Sequence, residues 1–163
     1  MIQCIQGRPH RLVLDTHLVL EMLVWHSPRH VGLLAMQQAG SCVFLIGEDT
    51  LEEWRRVLAY PTLKLEVGQQ AAALADYLAC ATLEMHAAAP TDLPRCRDVN
   101  DQKFLDLAYR TDATELLTRD KKLLKVGKNK RYKQRFLTIT PELFLARLEQ
   151  VKEEIYFGCE IHS

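Results

Sequence analysis

Five apolar residues in succession, Cys42-Val43-Phe44-Leu45-Ile46, constrain the fold of this chain most. The run has strand length and does not alternate with polar residues, the pattern of a parallel sheet covered on both faces. Gly47 closes it. Other strand patterns occur at residues 10–14, 82–85, 113–118 and 136–139. Helical patterns fill the spaces between. One runs from Val19 to Gln38, interrupted near Pro28, which cannot continue an interior hydrogen bond, and stops at Gly40. The next, capped by Asp49 or Thr50, carries Leu51, Trp54, Val57 and Leu58 on one face and ends before Pro61. Residues 65–80 form an alanine-rich helix, and residues 87–98, with Pro90 and Pro94, read as a loop. Asn100 is expected to cap a helix from Asp101 to Arg110, and a helical turn is expected at 121–125. Thr140-Pro141-Glu142 starts a last helix, with proline at its first position, that runs to about Lys152. Strands alternating with helices predict a three-layer α/β domain with a mainly parallel sheet, spanning residues 1–150, and a C-terminal tail at 151–163.

The chain has 163 residues, of which 48% are hydrophobic, enough for one domain with its own core. No apolar run approaches the roughly 20 residues of a membrane span, and Met1–Gln6 lacks the apolar stretch of a signal peptide, so a cytoplasmic protein is expected. Five cysteines (Cys4, Cys42, Cys80, Cys96, Cys159) include no C-x-x-C pair, which argues against a disulfide framework or a zinc ribbon. Cys42 and Cys80 read as core packing. His26 and His30 have i, i+4 spacing, but Pro28 between them argues against a metal pair. No phosphate-cradling G-x-x-x-x-G-K-[ST] occurs, so ATP-driven chemistry has no support.

In a parallel sheet, ligands bind at the carboxyl ends of the strands. Asp15 falls just past the end of Leu12-Val13-Leu14, and Asp120 just past Leu116-Leu117-Thr118. Glu53 and Asp101 open helical patterns. Each carboxylate has an ordinary structural role open to it. Asp15 can cap a helix, Glu53 and Asp101 suit a helix first turn, and Asp120 suits a turn. Four acids gathered at one rim would repel one another and call for a cation. Asp98 lies three residues before Asp101 and can join them. Thr16 and Thr118 supply hydroxyls beside the first and fourth acids; Thr118 can orient a carboxylate or a water.

The net charge of zero hides an asymmetry. Residues 1–118 hold 10 Lys/Arg against 15 Asp/Glu, and residues 119–163 hold 11 against 6. The basic run (Arg119, Lys121, Lys122, Lys125, Lys128, Lys130, Arg131, Lys133, Arg135) begins beside the fourth carboxylate. A solvated basic loop is the ordinary fate of such a run. Its position here points to phosphate contacts that carry no sequence information. Tyr132, within the run, is a candidate for stacking on a base.

These blocks together resemble the PIN-domain ribonucleases, in particular the branch of toxin components of toxin–antitoxin pairs. The residues that carry the resemblance are Leu12-Val13-Leu14-Asp15-Thr16, then Glu53 with Val57-Leu58. Arg97-Asp98-x-x-Asp101-x-Lys103-Phe104-Leu105-x-Leu107-Ala108 and Leu117-Thr118-x-Asp120-x-x-Leu123-Leu124 follow, and Ile139-Thr140-Pro141-x-x-Phe144-Leu145 ends the series. The match covers about residues 10–147. The resemblance implies a PIN-like α/β/α fold and an acidic cluster of Asp15, Glu53, Asp101 and Asp120 that binds Mg²⁺ or Mn²⁺, with Asp98 as an auxiliary acid. It implies hydrolysis of phosphodiester bonds in single-stranded RNA, and it implies an antitoxin protein and a homodimer as assemblies.

Three positions depart from the family pattern. His17 stands where an asparagine supports the first aspartate, Arg119 where a small residue precedes the fourth, and Asp98-Val99-Asn100-Asp101 replaces an Asp-Pro-Asp-Asp run. A neutral imidazole at His17 is a candidate replacement for the asparagine. Arg119, if its guanidinium lay among the carboxylates, would displace a metal. That would leave a catalytically degenerate module that binds RNA or protein. A phosphatase-like hydrolase is disfavoured, because it needs a second aspartate two residues after the first, where His17 stands.

Overall fold

The computed structural model describes residues 7–85 and 90–159, with side chains as far as Glu153. Two strands at its centre are buried over most of their length. They are β1 (His10–Leu14) and β2 (Cys42–Ile46), paired in parallel from His10 opposite Cys42 to Val13 opposite Leu45. Among the described residues the sheet is completed by β3 (Ala81–Leu83), β4 (Glu115–Leu117) and β5 (Leu137–Ile139), in the order β3-β2-β1-β4-β5, all parallel. The chain winds from β1 outward through β2 to β3. It then returns to the other side of β1 to lay down β4 and β5. The direction therefore reverses between β1 and β4, which is where an open α/β sheet leaves a crevice.

Alternate residues of each strand enter two different cores. Leu12, Leu14, Phe44, Ile46, Leu117 and Ile139 face one way. On them pack α1 (Thr16–Leu23), α2 (Val31–Gln38), α3 (Glu48–Leu58), α4 (Val67–Cys80) and α8 (Pro141–Cys159). Val13, Leu45 and Leu116 face the other way, against α5 (Gln102–Arg110), α6 (Lys121–Gly127) and α7 (Lys130–Lys133). The expected three layers are therefore present. Trp54 of α3 is buried and meets Tyr77 of α4 edge-on, at 5.5 Å between ring centres.

Several boundaries differ from the sequence expectation. The first long helix is divided: α1 ends at Leu23, and Pro28 begins a 3-10 turn that leads into α2. Gly40, at φ +72°, ends α2, as a residue free of a β-carbon can. α3 begins at Glu48 with Gly47 as its N-cap, not at Asp49 or Thr50. The Thr50 hydroxyl instead accepts the Gly47 N–H (2.9 Å). Glu53 consequently lies in the second turn of α3 rather than opening it. Asn100 is not the cap of α5, because Asp98 has already turned the chain. Its carboxylate accepts the Asn100 N–H (3.0 Å) and its carbonyl the Asp101 N–H (3.2 Å), which leaves Asp101 at the N-cap. α8 continues past Lys152 to Cys159 and so takes up much of the expected tail. Residues 1–6, 86–89 and 160–163 lie outside the described residues. With them lie the expectations for the N-terminus, part of the 87–98 loop, the end of the tail and Cys4.

Cys42 and Cys96 are buried and Cys80 is half-buried, all three as free thiols. Burial pushes the Cys42 thiol up to about 12, so at neutral pH it is a small apolar group. Among the described residues no helix is long and apolar enough to cross a membrane.

Candidate functional site

β1 and β4 end side by side, and their register decides what meets beyond them. Leu14 is opposite Leu117, so Asp15 and Thr118 are the next residues on neighbouring strands. The Asp15 N–H donates to the Leu117 carbonyl (3.2 Å), and the Thr118 hydroxyl donates to Asp15 Oδ2. Asp15 Oδ1 accepts the Leu18 N–H (2.8 Å) and caps α1. Asp15 is buried, and that burial raises its carboxyl above the usual range. The bonds from Thr118 and Leu18, and the nearby His17, oppose the rise, while Asp120 adds to it.

Asp120 is the N-cap of α6 and accepts the N–H groups of Lys122 (2.7 Å) and Leu123 (3.1 Å). Its own N–H donates to the Thr118 hydroxyl (2.9 Å). Thr118 thus ties the Asp15 carboxylate to the backbone of Asp120. Asp101 occupies an N-cap position but makes no capping hydrogen bond with its side chain, which leaves its carboxylate uncommitted. Glu53, one and a half turns into α3, accepts the Thr16 hydroxyl (2.6 Å) at Oε1 and the Lys103 ammonium at Oε2.

Asp15, Glu53, Asp101 and Asp120 line one open depression of about 280 Å³, together with Thr16 and His17. The four carboxylates named from sequence therefore share a surface. Electrostatics agree: Asp101 is pushed up to about 6, by burial first and then by the charges of Asp98, Asp120 and Glu53. Asp98 stands outside the lining. It bonds the Asn100 N–H and lies 3.8 Å from the Lys122 ammonium.

A second depression, about 380 Å³, adjoins the first and is lined by Asp15, His17, Leu18, Arg119 and Asp120. Arg119 does not place its guanidinium among the carboxylates. It donates through Nε (2.9 Å) and Nη2 (2.5 Å) to Glu142 and through Nη1 to Glu21 (2.5 Å). The buried His30 completes this group, with Nε2 2.5 Å from Glu21. His17 does not take the place of a supporting asparagine. Its ring is exposed, 3.3 Å from Glu21, and Thr118 supports Asp15 instead.

Lys121, Lys122, Lys125, Lys128, Lys130, Arg131 and Lys133 are all exposed along α6 and α7, beginning at Asp120. Arg131 is held by Asp92, through both its carbonyl (2.6 Å) and its carboxylate (3.0 Å). Tyr132 is a correction. It is fully buried, its hydroxyl donates to the Pro94 carbonyl (2.6 Å), and it cannot stack on a base. In a single helical turn flanked by charged residues, Tyr132 is the side chain α7 turns into the core.

Sequence reasoning gave no functional role to Lys103, Glu21 or Glu142. The phase of α5 offered a signal for Lys103. It lies two residues past Asp101 and off the stripe formed by Phe104, Leu105, Leu107 and Ala108. Glu21 and Glu142 gave none, because their partner Arg119 is 98 and 23 residues away.

The protein is thus an α/β/α domain with an all-parallel sheet and acids gathered beyond the switch point of that sheet. The chain belongs to the PIN domain family, whose model matches residues 11–122. PIN domains are generally nucleases. The fold is similar to the crystal structure of PAE2754 from Pyrobaculum aerophilum, at 21% identity and TM-score 0.52, over 89% of this chain and 94% of that one. It also matches the T. brucei RRP44 PIN domain at 12% identity and TM-score 0.47, over 94% of this chain and 88% of that one. No curated protein matches the chain.

The donors present suit a hard divalent cation. All are carboxylate oxygens, and their mutual repulsion at Asp101 is what a cation relieves. As they stand, no three His, Cys, Asp or Glu side chains among the described residues are grouped tightly enough to hold an ion. Thr118 holds Asp15, and the Lys103 ammonium supplies the positive charge at Glu53.

Proposed function

We propose that this protein is a Mg²⁺- or Mn²⁺-dependent endoribonuclease that hydrolyses phosphodiester bonds of single-stranded RNA. The observation that carries the reading is the shared depression lined by Asp15, Glu53, Asp101 and Asp120. These four, with Asp98 at the edge, would hold the metal. When bound, such a metal makes water a nucleophile near neutral pH and offsets charge developing on the phosphate.

The chain's own residues do the rest. Thr118 fixes the Asp15 carboxylate and, through the Asp120 N–H, the start of α6. Thr16 orients Glu53. Lys121, Lys122 and Lys125 give a polyanion a basic path onto the acidic surface, with Lys128, Lys130, Arg131 and Lys133 beyond. A role as the toxin of a toxin–antitoxin pair, with an antitoxin protein partner and a homodimeric state, rests on the sequence blocks shared with that branch. Co-purification with a small partner protein tests it.

The test of the chemistry is cleavage of single-stranded RNA by Asp15→Asn and Asp120→Asn. Asparagine keeps both helix caps, so the fold is retained while the charge is lost. Both variants are expected to lose activity, and EDTA to abolish it in the native protein. EDTA-insensitive cleavage by the double variant sinks the reading. A second reading, a binding module without catalysis, is favoured by one observation: the Lys103 ammonium already pairs with Glu53, one of the acids that line the depression. Absence of Mn²⁺ binding in calorimetry at millimolar metal would select it.

A further inference from the structure

We propose that Trp25, braced by His17, is a stacking platform for a base of the RNA bound at the acidic depression, an inference that rests on the nuclease reading above. Half of the Trp25 side chain is open to solvent, at 50% exposure. Its backbone is nevertheless pinned on both sides. The N–H groups of Val24 and Trp25 both donate to the Leu20 carbonyl (3.0 Å each), and the Ser27 N–H donates to the Glu21 carbonyl (2.8 Å). Between them His26 adopts a left-handed conformation, φ +48°, which costs a non-glycine residue energy and turns the chain sharply. The outcome is a large flat aromatic on a fixed turn, left out of the core.

Its neighbour decides what it faces. The Trp25 and His17 rings meet edge-on, 5.4 Å between centres and 69° between planes. His17 is itself 66% exposed and lines both depressions, beside Asp15 and Asp120. Aromatic surface therefore leads outward from the carboxylates. On this proposal a nucleotide with its phosphate at the acids lays its base along His17 toward Trp25. Base–aromatic stacking accepts any base, because every base has a π face, and so suits a surface whose other contacts are lysines. Tyr132 is buried and cannot serve. Trp25 lines neither depression itself, and its edge contact with His17 is what connects it to both.

Fluorescence tests this directly. The sequence holds two tryptophans, and Trp54 is buried, so a change on binding reports Trp25. Labelled single-stranded RNA is titrated into the full chain with Ca²⁺ in place of Mg²⁺, and RNA anisotropy and indole emission are read together. Emission is expected to quench in step with the anisotropy. An abasic oligomer of equal length should bind about tenfold more weakly and leave the emission unchanged. In cleavage, Trp25→Ala should raise KM about tenfold with kcat nearly unchanged, and Trp25→Phe should recover most of the loss. Binding seen by anisotropy with unaltered emission, and equal affinity for Trp25→Ala, overturns the platform and leaves the nuclease reading standing. No binding by anisotropy overturns both. A dimer that Trp25→Ala converts to monomer assigns the ring to contact between copies and also overturns the proposal.

Discussion

The hydroxyl of Thr118 donates to Asp15 Oδ2 and accepts the N–H of Asp120, so one buried side chain links the Asp15 carboxylate to the backbone of a residue 105 positions away in the sequence. Valine has nearly the same shape and no hydroxyl. Thr118→Val therefore leaves a buried Asp15 oxygen and the Asp120 N–H without their partner. Urea unfolding is expected to show a loss of about 1–3 kcal/mol, the range for a hydrogen bond to a charged group. RNA cleavage should fall mainly in kcat. A variant as stable and active as the native protein would remove Thr118 from the site.

Asp101 gives a pH dependence with a definite sign. Its ordinary value is 3.8 and its folded value about 6, so between these the native state holds more protons than the unfolded chain. The metal-free protein should lose stability as pH rises from about 4 to about 6. Carboxylates bind metal when ionised, so Mn²⁺ affinity should fall as pH drops below about 6. Asp98→Asn removes one of the repelling charges and should lower the titration point of Asp101 in NMR. An Asp101 that titrates near 4 in the metal-free protein contradicts the crowding of charge described here.

Lys103 pairs with Glu53, so on the proposed reading a metal would compete with its ammonium there. Lys103→Met keeps the length of the side chain and removes its charge. Calorimetry should then show several-fold tighter Mn²⁺ binding, since no ammonium has to be displaced. Unchanged or weaker binding would show that Glu53 is not part of the metal's surroundings.

Gly127, buried at the end of α6, faces Thr138 of β5. A β-carbon at this position would overlap the Thr138 side chain, whose branched Cβ leaves little room to turn away. Gly127→Ala is accordingly expected to destabilise by about 1–3 kcal/mol despite alanine's better helix propensity. Thermal unfolding checks this, and a raised midpoint would contradict the packing.

The apolar runs made the layers legible, because a strand buried on both faces has no polar positions to hide it. Asp15 and Asp120 were legible for the same reason: each follows such a run. The position of Glu53 was less so. Gly47 caps α3 without a side chain to announce it, and the helix starts two residues before its polar caps suggested. Tyr132 misled, because one turn of helix among lysines carries no periodicity to show which residue turns inward. His17 and Arg119 were marked as departures; Glu21 lies four residues from His17 on α1, but its bond to Arg119 could be found only once α1 and the end of β4 lay together in space. Glu115 is similar. It stands in an apolar strand pattern and proves buried, 3.2 Å from the His10 ring, a partner 105 residues away.

The return of the chain to the far side of β1 has a consequence in time. β1 gains its second neighbour only when β4 arrives, about a hundred residues later, and Thr118 and Asp120 arrive with it. No earlier stretch of chain contains a working fraction of the site. During synthesis Asp15 and Glu53 are therefore made well before the residues they meet at the rim. The rim is complete only once the strand that closes it has emerged.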